Sequence, residues 1–294
     1  MTRKSTPDEA LNKVVSLFNN NGSRIFTIDQ LKNFVYHAQI DLRISTDSIW
    51  RCINKLEEMG KFHKEEIPFV NDSRKVVKSY YRYIYGEPDK FQLIASLAKN
   101  SYYSHQTALY FLRIIKKESD VTYLSHEQTP KKDFKQNMKQ ENIDAAFEQS
   151  VRKPATTGIY LSKQIMLHNG KFTNHLGVVP HSSIQNIYHT DLERTLLDIT
   201  VRPNYAGGVK AVLHIYKKVK HKLSVSGLID LLDKVNYIYP YHQAVGYYLE
   251  EAGYNEVDIA PLRKKKKRFK FYLTHGIDNI SYNPAWRIYV PKDI

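Results

Sequence analysis

The chain has 294 residues, enough for two domains that each bury a core, and its 25% charged and 42% hydrophobic residues are ordinary for a folded globular protein. One cysteine excludes an intramolecular disulfide and a cysteine-built zinc site, and it fits a reducing cytoplasm. No apolar run approaches the ~20 residues a membrane helix needs and the N-terminus lacks a signal-peptide pattern, so the expected setting is cytoplasmic with no membrane partner. The net charge of +14 is uneven: +3 in residues 1–90, +1 in 91–150 and +10 in 151–294. An excess of this kind points to nucleic acid, acidic lipid or an acidic protein.

Residues 1–86 predict three helices and a hairpin. Thr6-Pro7-Asp8-Glu9 starts the first helix, whose apolar face is Leu11, Val14, Val15 and Phe18, and Asn19–Gly22 stops it. Arg24-Ile25-Phe26 is a minor strand. Thr27 with Gln30 forms a capping box ahead of a helix that buries Ile28, Leu31, Val35 and Ala38. Ser45 or Thr46 caps the third helix, which buries Ile49, Cys52, Ile53 and Leu56 and ends at Gly60. Lys61–Ile67 and Val76–Tyr85 then alternate as strands around the polar tip Asn71–Lys75.

Three short helices followed by a hairpin is the winged helix-turn-helix plan, in which the third helix enters the major groove and the wing meets backbone or minor groove. The outward face of that helix carries Asp47, Ser48, Trp50, Arg51, Asn54 and Lys55, next to the cap residues Ser45 and Thr46. Arg and Asn make bidentate contacts with guanine and adenine edges, whereas Ser and Lys suit phosphates. Arg74, Lys75 and Lys78 on the wing would meet phosphate. The competing reading is a winged helix used only for protein contacts, which the modest +3 of this region supports.

Gly86-Glu87-Pro88-Asp89 is turn chemistry and marks the expected domain boundary, giving a DNA-binding domain at 1–86 and a second domain at 87–294. Short helices follow at 91–99 and from Ser104, with Ala108, Leu109, Leu112 and Ile115 buried, and residues 125–150 read as a polar excursion with some helix near Ile143–Phe147. The β-rich part covers about 120–190, and Asn169-Gly170 suggests a type I′ hairpin between Gln164–His168 and Lys171–His175. His105, His168, His175, His181 and His189 lack tight metal-ligand spacing, so neither a metal nor another cofactor is expected.

The helical part, about 191–260, is organised around Thr190–Gly208. Thr190 with Glu193 reads as a capping box, Leu192, Leu196 and Ile199 as a buried face, and Arg202-Pro203 as the stop. Arg194 and Asp198, four residues apart, are placed to form a structural ion pair. Further helices follow from Val209, from about Ser224 and after Pro240. Arg263-Lys264-Lys265-Lys266-Lys267-Arg268 precedes a strand at Phe269–Leu273, and Trp286–Val290 is the last strand of a closing set at about 268–291. Two readings of the basic run stand level: contact with nucleic acid, or lysines guarding a strand edge.

Several segments together resemble the AbiEi-type antitoxin family of type IV toxin–antitoxin (abortive-infection) systems: SYYSHQTALYFL at 101–112, TDLERTLLDITVRPNYAGG at 190–208, YPYHQAVGYYLEEAGY at 239–254 and WRIYVP at 286–291. Their order and spacing, with the N-terminal winged helix, span nearly the whole chain. The resemblance implies an antitoxin that represses its own operon by binding double-stranded operator DNA at inverted repeats, and that counters a co-encoded nucleotidyltransferase toxin with or without touching it. It carries no catalytic motif, so no enzymatic activity is expected. The expectation is therefore an α+β protein, a winged helix followed by a domain with a small mixed or antiparallel sheet and a helical cluster. A ligand-responsive winged-helix regulator without a toxin partner is the alternative. A nuclease is disfavoured because no carboxylate–lysine set at metal-site spacing is found.

Overall fold

The computed structural model describes residues 6–130, 138–149 and 154–294. The chain runs α1 (Pro7–Asn20), β1 (Ile25–Phe26), α2 (Ile28–Leu42), α3 (Thr46–Glu58), β2 (Phe62–Val70), β3 (Val76–Tyr85) and α4 (Lys90–Ala95). It continues with β4 (Tyr102–Tyr103), α5 (His105–Phe111), β5 (Val121–Glu127), α6 (Gln140–Glu148), β6 (Thr157–Tyr160), β7 (Lys163–Gly170), β8 (Val178–Pro180) and β9 (Tyr188–Thr190). Last come α7 (Leu192–Val201), α8 (Val209–Lys218), α9 (Val225–Val235), α10 (Tyr241–Glu251), α11 (Glu256–Lys264), β10 (Phe271–Tyr272), β11 (Ile280–Asn283) and β12 (Ile288–Pro291). The result is an α+β fold in two compact units, Met1–Lys99 with Thr156–Ser162, and Asn100–Ala155 with Lys163–Ile294. No described helix is long and apolar enough to cross a membrane.

The first unit has the winged-helix order. Capping boxes at Thr6/Glu9 and Thr27/Gln30 satisfy the free amides that open α1 and α2. Val14, Phe18, Leu31, Val35, Ile49, Ile53 and Leu56 then meet in one core. Phe18 stacks on Phe34 at 4.3 Å and on Tyr85 at 4.7 Å, which fastens the base of the hairpin to the helices. Gly60, at φ +68°, closes α3 as the left-handed cap residue, with the Lys61 amide donating to the Leu56 carbonyl.

The unit extends beyond the Gly86–Asp89 turn, so the boundary expected at residue 86 moves to Lys99. The cause is Arg82, 5% exposed on β3, whose guanidinium donates to the Ser96 hydroxyl at 2.8 Å, the Ser96 carbonyl at 2.7 Å and the Tyr81 carbonyl at 2.8 Å. Three good acceptors offset the cost of burying this charge, and they hold α4 and the turn after it against the hairpin. Strand β6 joins the same unit by antiparallel pairing with β2, Phe69 opposite Gly158 and Val70 opposite Thr157.

In the second unit the strand order is β7-β5-β4-β9-β8, with β5/β7 and β4/β9 parallel and the other pairs antiparallel. A separate ribbon of order β10-β12-β11 closes it. The Asn169-Gly170 hairpin does not form. Both residues stay in β7, paired in parallel with His126 and Glu127. The following segment is held by the Glu127 carboxylate, which accepts from the Thr173 and His175 amides at 3.0 and 3.2 Å. A long parallel ladder therefore overrides a two-residue turn signal.

Helix α7 is buried along most of its length. Its N-cap is Asp191, whose side chain accepts from the Arg194 amide at 2.8 Å, not Thr190 as the capping-box pattern suggests. Thr190 bonds Thr195 at 2.7 Å instead, and Glu193 accepts from the Ser224 amide at 3.0 Å, pinning the start of α9. The Arg194–Asp198 pair forms at 2.9 Å with side chains 5% and 9% exposed. Arg194 also donates to Thr173 at 3.0 Å and to the Leu176 carbonyl at 2.6 Å.

The ribbon is seated on α10 through Trp286. Gly246 gives the indole its place, since a Cβ there would come within 2.1–2.6 Å of three carbons of the Trp286 ring. One turn away Glu250 accepts from the indole nitrogen, and Gln243 donates to the carbonyls of Phe269, Trp286 and Arg287. Gly246→Ala should destabilise the protein by at least about 1–3 kcal/mol through overpacking, read as a lower urea midpoint with the m-value unchanged.

Behind β5, His105 and His168 face each other at 5.7 Å between ring centres, with Tyr205 at 5.0 Å from His105. His105 Nδ1 lies 2.8 Å from the Ser104 hydroxyl, which in turn meets Ser125 at 2.7 Å. Burial, aided by Arg202, lowers the His105 imidazole to about 3; burial, aided by His105, lowers His168 to about 3. Unfolded, both titrate near 6.5, so the unfolded chain binds more protons below that pH. Stability is complete above pH 6.5 and should fall as pH drops towards 3, at up to ~1.4 kcal/mol per pH unit for each histidine. Urea titrations from pH 7 to 5 should show the decline, and His168→Phe should make it shallower. An unaltered slope in that variant would remove His168 from the explanation.

Candidate nucleic-acid interface

Helix α3 and the wing carry the candidate residues of the first unit. Asp47, Arg51, Asn54 and Lys55 are exposed on α3, because Ile49, Cys52, Ile53 and Leu56 turn the opposite face into the core. Trp50 is corrected from the outward face: it is half-buried against the core cluster, beside Ile49 and one turn before Ile53. Ser45 is the N-cap and accepts from the Ser48 amide at 3.2 Å; the two hydroxyls lie 2.9 Å apart, and Arg51 donates to Ser48 at 3.2 Å. This chain fixes the Arg51 side chain at the start of the helix, where base-reading residues of such helices sit. Thr46 is half-buried in the first turn. Lys55 is held by Asp8 of α1 at 3.1 Å, an exposed pair that costs little to exchange for a phosphate.

The wing tip is built by Asn71, whose side chain accepts from the Lys75 amide at 3.0 Å while Arg74 takes a left-handed φ of 57°. Arg74, Lys75 and Lys78 are all exposed, and Lys78 rests over the Tyr80 ring at 4.2 Å. Val76 and Val77 are also exposed, at 54% and 60%, so the tip stands clear of the core. An open cavity of about 500 Å³, lined by Leu17, Asn33, His37 and Asp41 among others, lies between α1 and α2 of this unit.

The run Arg263–Arg268 belongs to the second unit and is divided by the fold. Arg263 and Lys264 finish α11, a helix not among the expected elements, which accommodates Pro261 in its interior. Arg263 bonds Glu250 and Glu256 and lies over Trp286 at 5.0 Å, Lys265 pairs with Asp233 at 2.6 Å, and Lys267 covers the other part of the indole at 5.0 Å. Lys264, Lys266 and Arg268 remain exposed. Two of the six charges thus build the Trp286 seat, and a third ties the run to α9. The strand after them is shorter than expected, β10 holding two residues instead of 269–273.

The four further histidines are dispersed: His168 faces His105, His175 bonds the Asn100 carbonyl at 3.0 Å, and His181 and His189 pack on Phe111. Among the described residues no group of three His, Cys, Asp or Glu side chains could hold a metal ion.

The folds of the two units define a winged helix followed by a unit with a mixed sheet and a helical cluster. No family model matches the chain, and no curated protein does. Among solved structures it is similar to the RV2827C protein from Mycobacterium tuberculosis, with a TM-score of 0.53 over 95% of this chain and 90% of that one. At 13% identity this likeness concerns the fold alone.

Arg263→Gln should destabilise the protein by on the order of 2 kcal/mol, because it leaves the Glu250 carboxylate at the indole nitrogen without its cation. Lys264→Gln with Lys266→Gln should leave the urea midpoint in place. Equal midpoints for the two variants would show that the run does not brace Trp286.

Proposed function

We propose that the chain is an autorepressing antitoxin: the winged-helix unit reads operator DNA, and the second unit counters a nucleotidyltransferase toxin without catalysis of its own. The observation that carries the DNA half is the exposed Arg51–Asn54 face of α3, with Arg51 hydrogen-bonded to Ser48 in the first turn, accompanied by a cationic wing. The antitoxin half rests on the resemblance of 101–112, 190–208, 239–254 and 286–291 to AbiEi-type antitoxins. These segments supply α5, α7, α10 and β12, the framework of the second unit.

In binding assays, Arg51→Ala and Asn54→Ala should each weaken operator binding by about 1–3 kcal/mol and leave scrambled DNA unaffected. Arg74→Ala should weaken both alike and lower the salt slope by about 1. Because β6 completes the first unit from residues 157–160, the division of labour is best tested in the whole chain. The Arg51→Ala/Asn54→Ala variant should lose promoter repression yet still rescue growth when the toxin is induced. Leu196→Asp, which puts a carboxylate in the fully buried face of α7, should lose rescue. Repression without any rescue by the native chain would favour the regulator reading over the antitoxin.

A further inference from the structure

We propose that the second unit carries its own DNA-backbone surface, formed where the end of α8 meets the loop after α5. The Lys218 ammonium donates to the Ile114 carbonyl at 2.6 Å, which brings together two segments distant in sequence. The two segments carry Lys116 and Lys117 on one and Lys217, Lys218, Lys220 and Lys222 on the other, all exposed and within a few residues of that bond in sequence. Residues 109–117 and 209–222 contain no carboxylate. Glu118, the nearest acid in sequence, is committed to Lys163 at 3.0 Å.

Two of these lysines serve the fold, Lys218 at Ile114 and Lys220 at the Gly253 carbonyl and over the Tyr254 ring at 5.8 Å. Lys116, Lys117, Lys217 and Lys222 form no ion pair among the described residues. Capping the C-terminal end of α8 needs one or two cations, and Lys217 and Lys218 already stand in its last turn. Lys220, Lys222, Lys116 and Lys117 exceed that requirement.

The composition selects the partner. Protein interfaces are enriched in aromatic residues and arginine and depleted in lysine. Here the apolar residues between the lysines point inward, Ile114, Ile115, Ile215 and Val219 all packing in or on the core, so the exposed side chains of the two segments are lysines with Arg113, His214 and His221 among them. Flexible ammonium side chains carry neither the planar fork that reads bases nor the aromatic anchor of a protein hot spot. It suits the regular phosphate charge of a duplex, which it would hold without regard to sequence. This surface is separate from the α3 face, and its existence does not depend on operator reading.

The test uses the full chain and a fluorescent 30-base-pair duplex of random sequence, titrated between 50 and 300 mM KCl. The variant Lys116→Gln/Lys117→Gln/Lys217→Gln/Lys222→Gln should lower the slope of log K against log salt by about 3–4, since each phosphate contact contributes about 0.9. A charge-matched control, Lys13→Gln/Lys139→Gln/Lys234→Gln/Lys292→Gln, should lower it by less than 1. Arg51→Ala/Asn54→Ala should keep the native slope on this duplex while losing operator preference, so failure of the α3 reading leaves the result interpretable. Equal losses in the patch and control variants would mean that only net charge matters and would overturn the proposal. So would an unchanged slope in the patch variant, or a loss seen with an RNA duplex of the same sequence and not with DNA. Circular dichroism melts of both quadruple variants should match the native chain, as every altered side chain is solvent-exposed.

Discussion

Arg194 holds the second unit together. It lies in the first turn of a helix buried along most of its length, and its guanidinium reaches Asp198 on α7 itself, Thr173 and the Leu176 carbonyl ahead of β8, and, more distantly, the Tyr102 hydroxyl on β4. Burial works against its charge, yet Asp198 and the neighbouring tyrosine hydroxyls hold its affinity for the proton above the ordinary arginine value. A buried pair of this kind contributes little net stability compared with apolar side chains, but removing one partner costs about 3–5 kcal/mol. Its contribution is therefore to geometry. Gly177 is pressed against the Arg194 side chain, so the loop that precedes β8 has one way to pass the helix.

The same economy governs the other cations. Arg82 ties α4 to the wing, Arg263 and Lys267 enclose Trp286, and Lys171 donates to the carbonyls that end α9. Each of these charges is spent on neighbouring carbonyls, carboxylates or rings. The surplus of +10 in residues 151–294 is accordingly smaller in effect than in number, and the exposed lysines at the end of α8 belong to what remains. Charge counted along a chain measures partners only after the internal commitments are known.

Much was legible in the residues. Helix starts at Thr6 and Thr27 follow from capping boxes, which need only four consecutive residues. The core faces of α1, α2 and α3 follow from apolar spacing, and the Arg194–Asp198 pair from a four-residue interval, but Ile28, expected in the core, is 40% exposed because it opens α2 one turn ahead of the buried Leu31. The candidate face on α3 was equally readable, because a face that is not apolar on a helix with one buried side must look outward. Trp50 departs from it: an indole at the edge of the apolar stripe gains more by covering the core than by standing in water.

The sequence by itself determined the α+β class, the three-helix-and-hairpin order and the positions of the buried helix faces, since these depend on neighbours within a few residues. Only the tertiary structure decided where the first unit ends, because Arg82 meets Ser96 across fourteen residues and β6 joins β2 across nearly ninety. It decided that Asn169-Gly170 remains in a strand, since the parallel partner β5 supplies the hydrogen bonds a hairpin would have made locally. It also divided the basic run into seat and surface. Six like charges in a row are indistinguishable in one dimension, and only the placement of Trp286, Glu250 and Asp233 gives alternate members different neighbours.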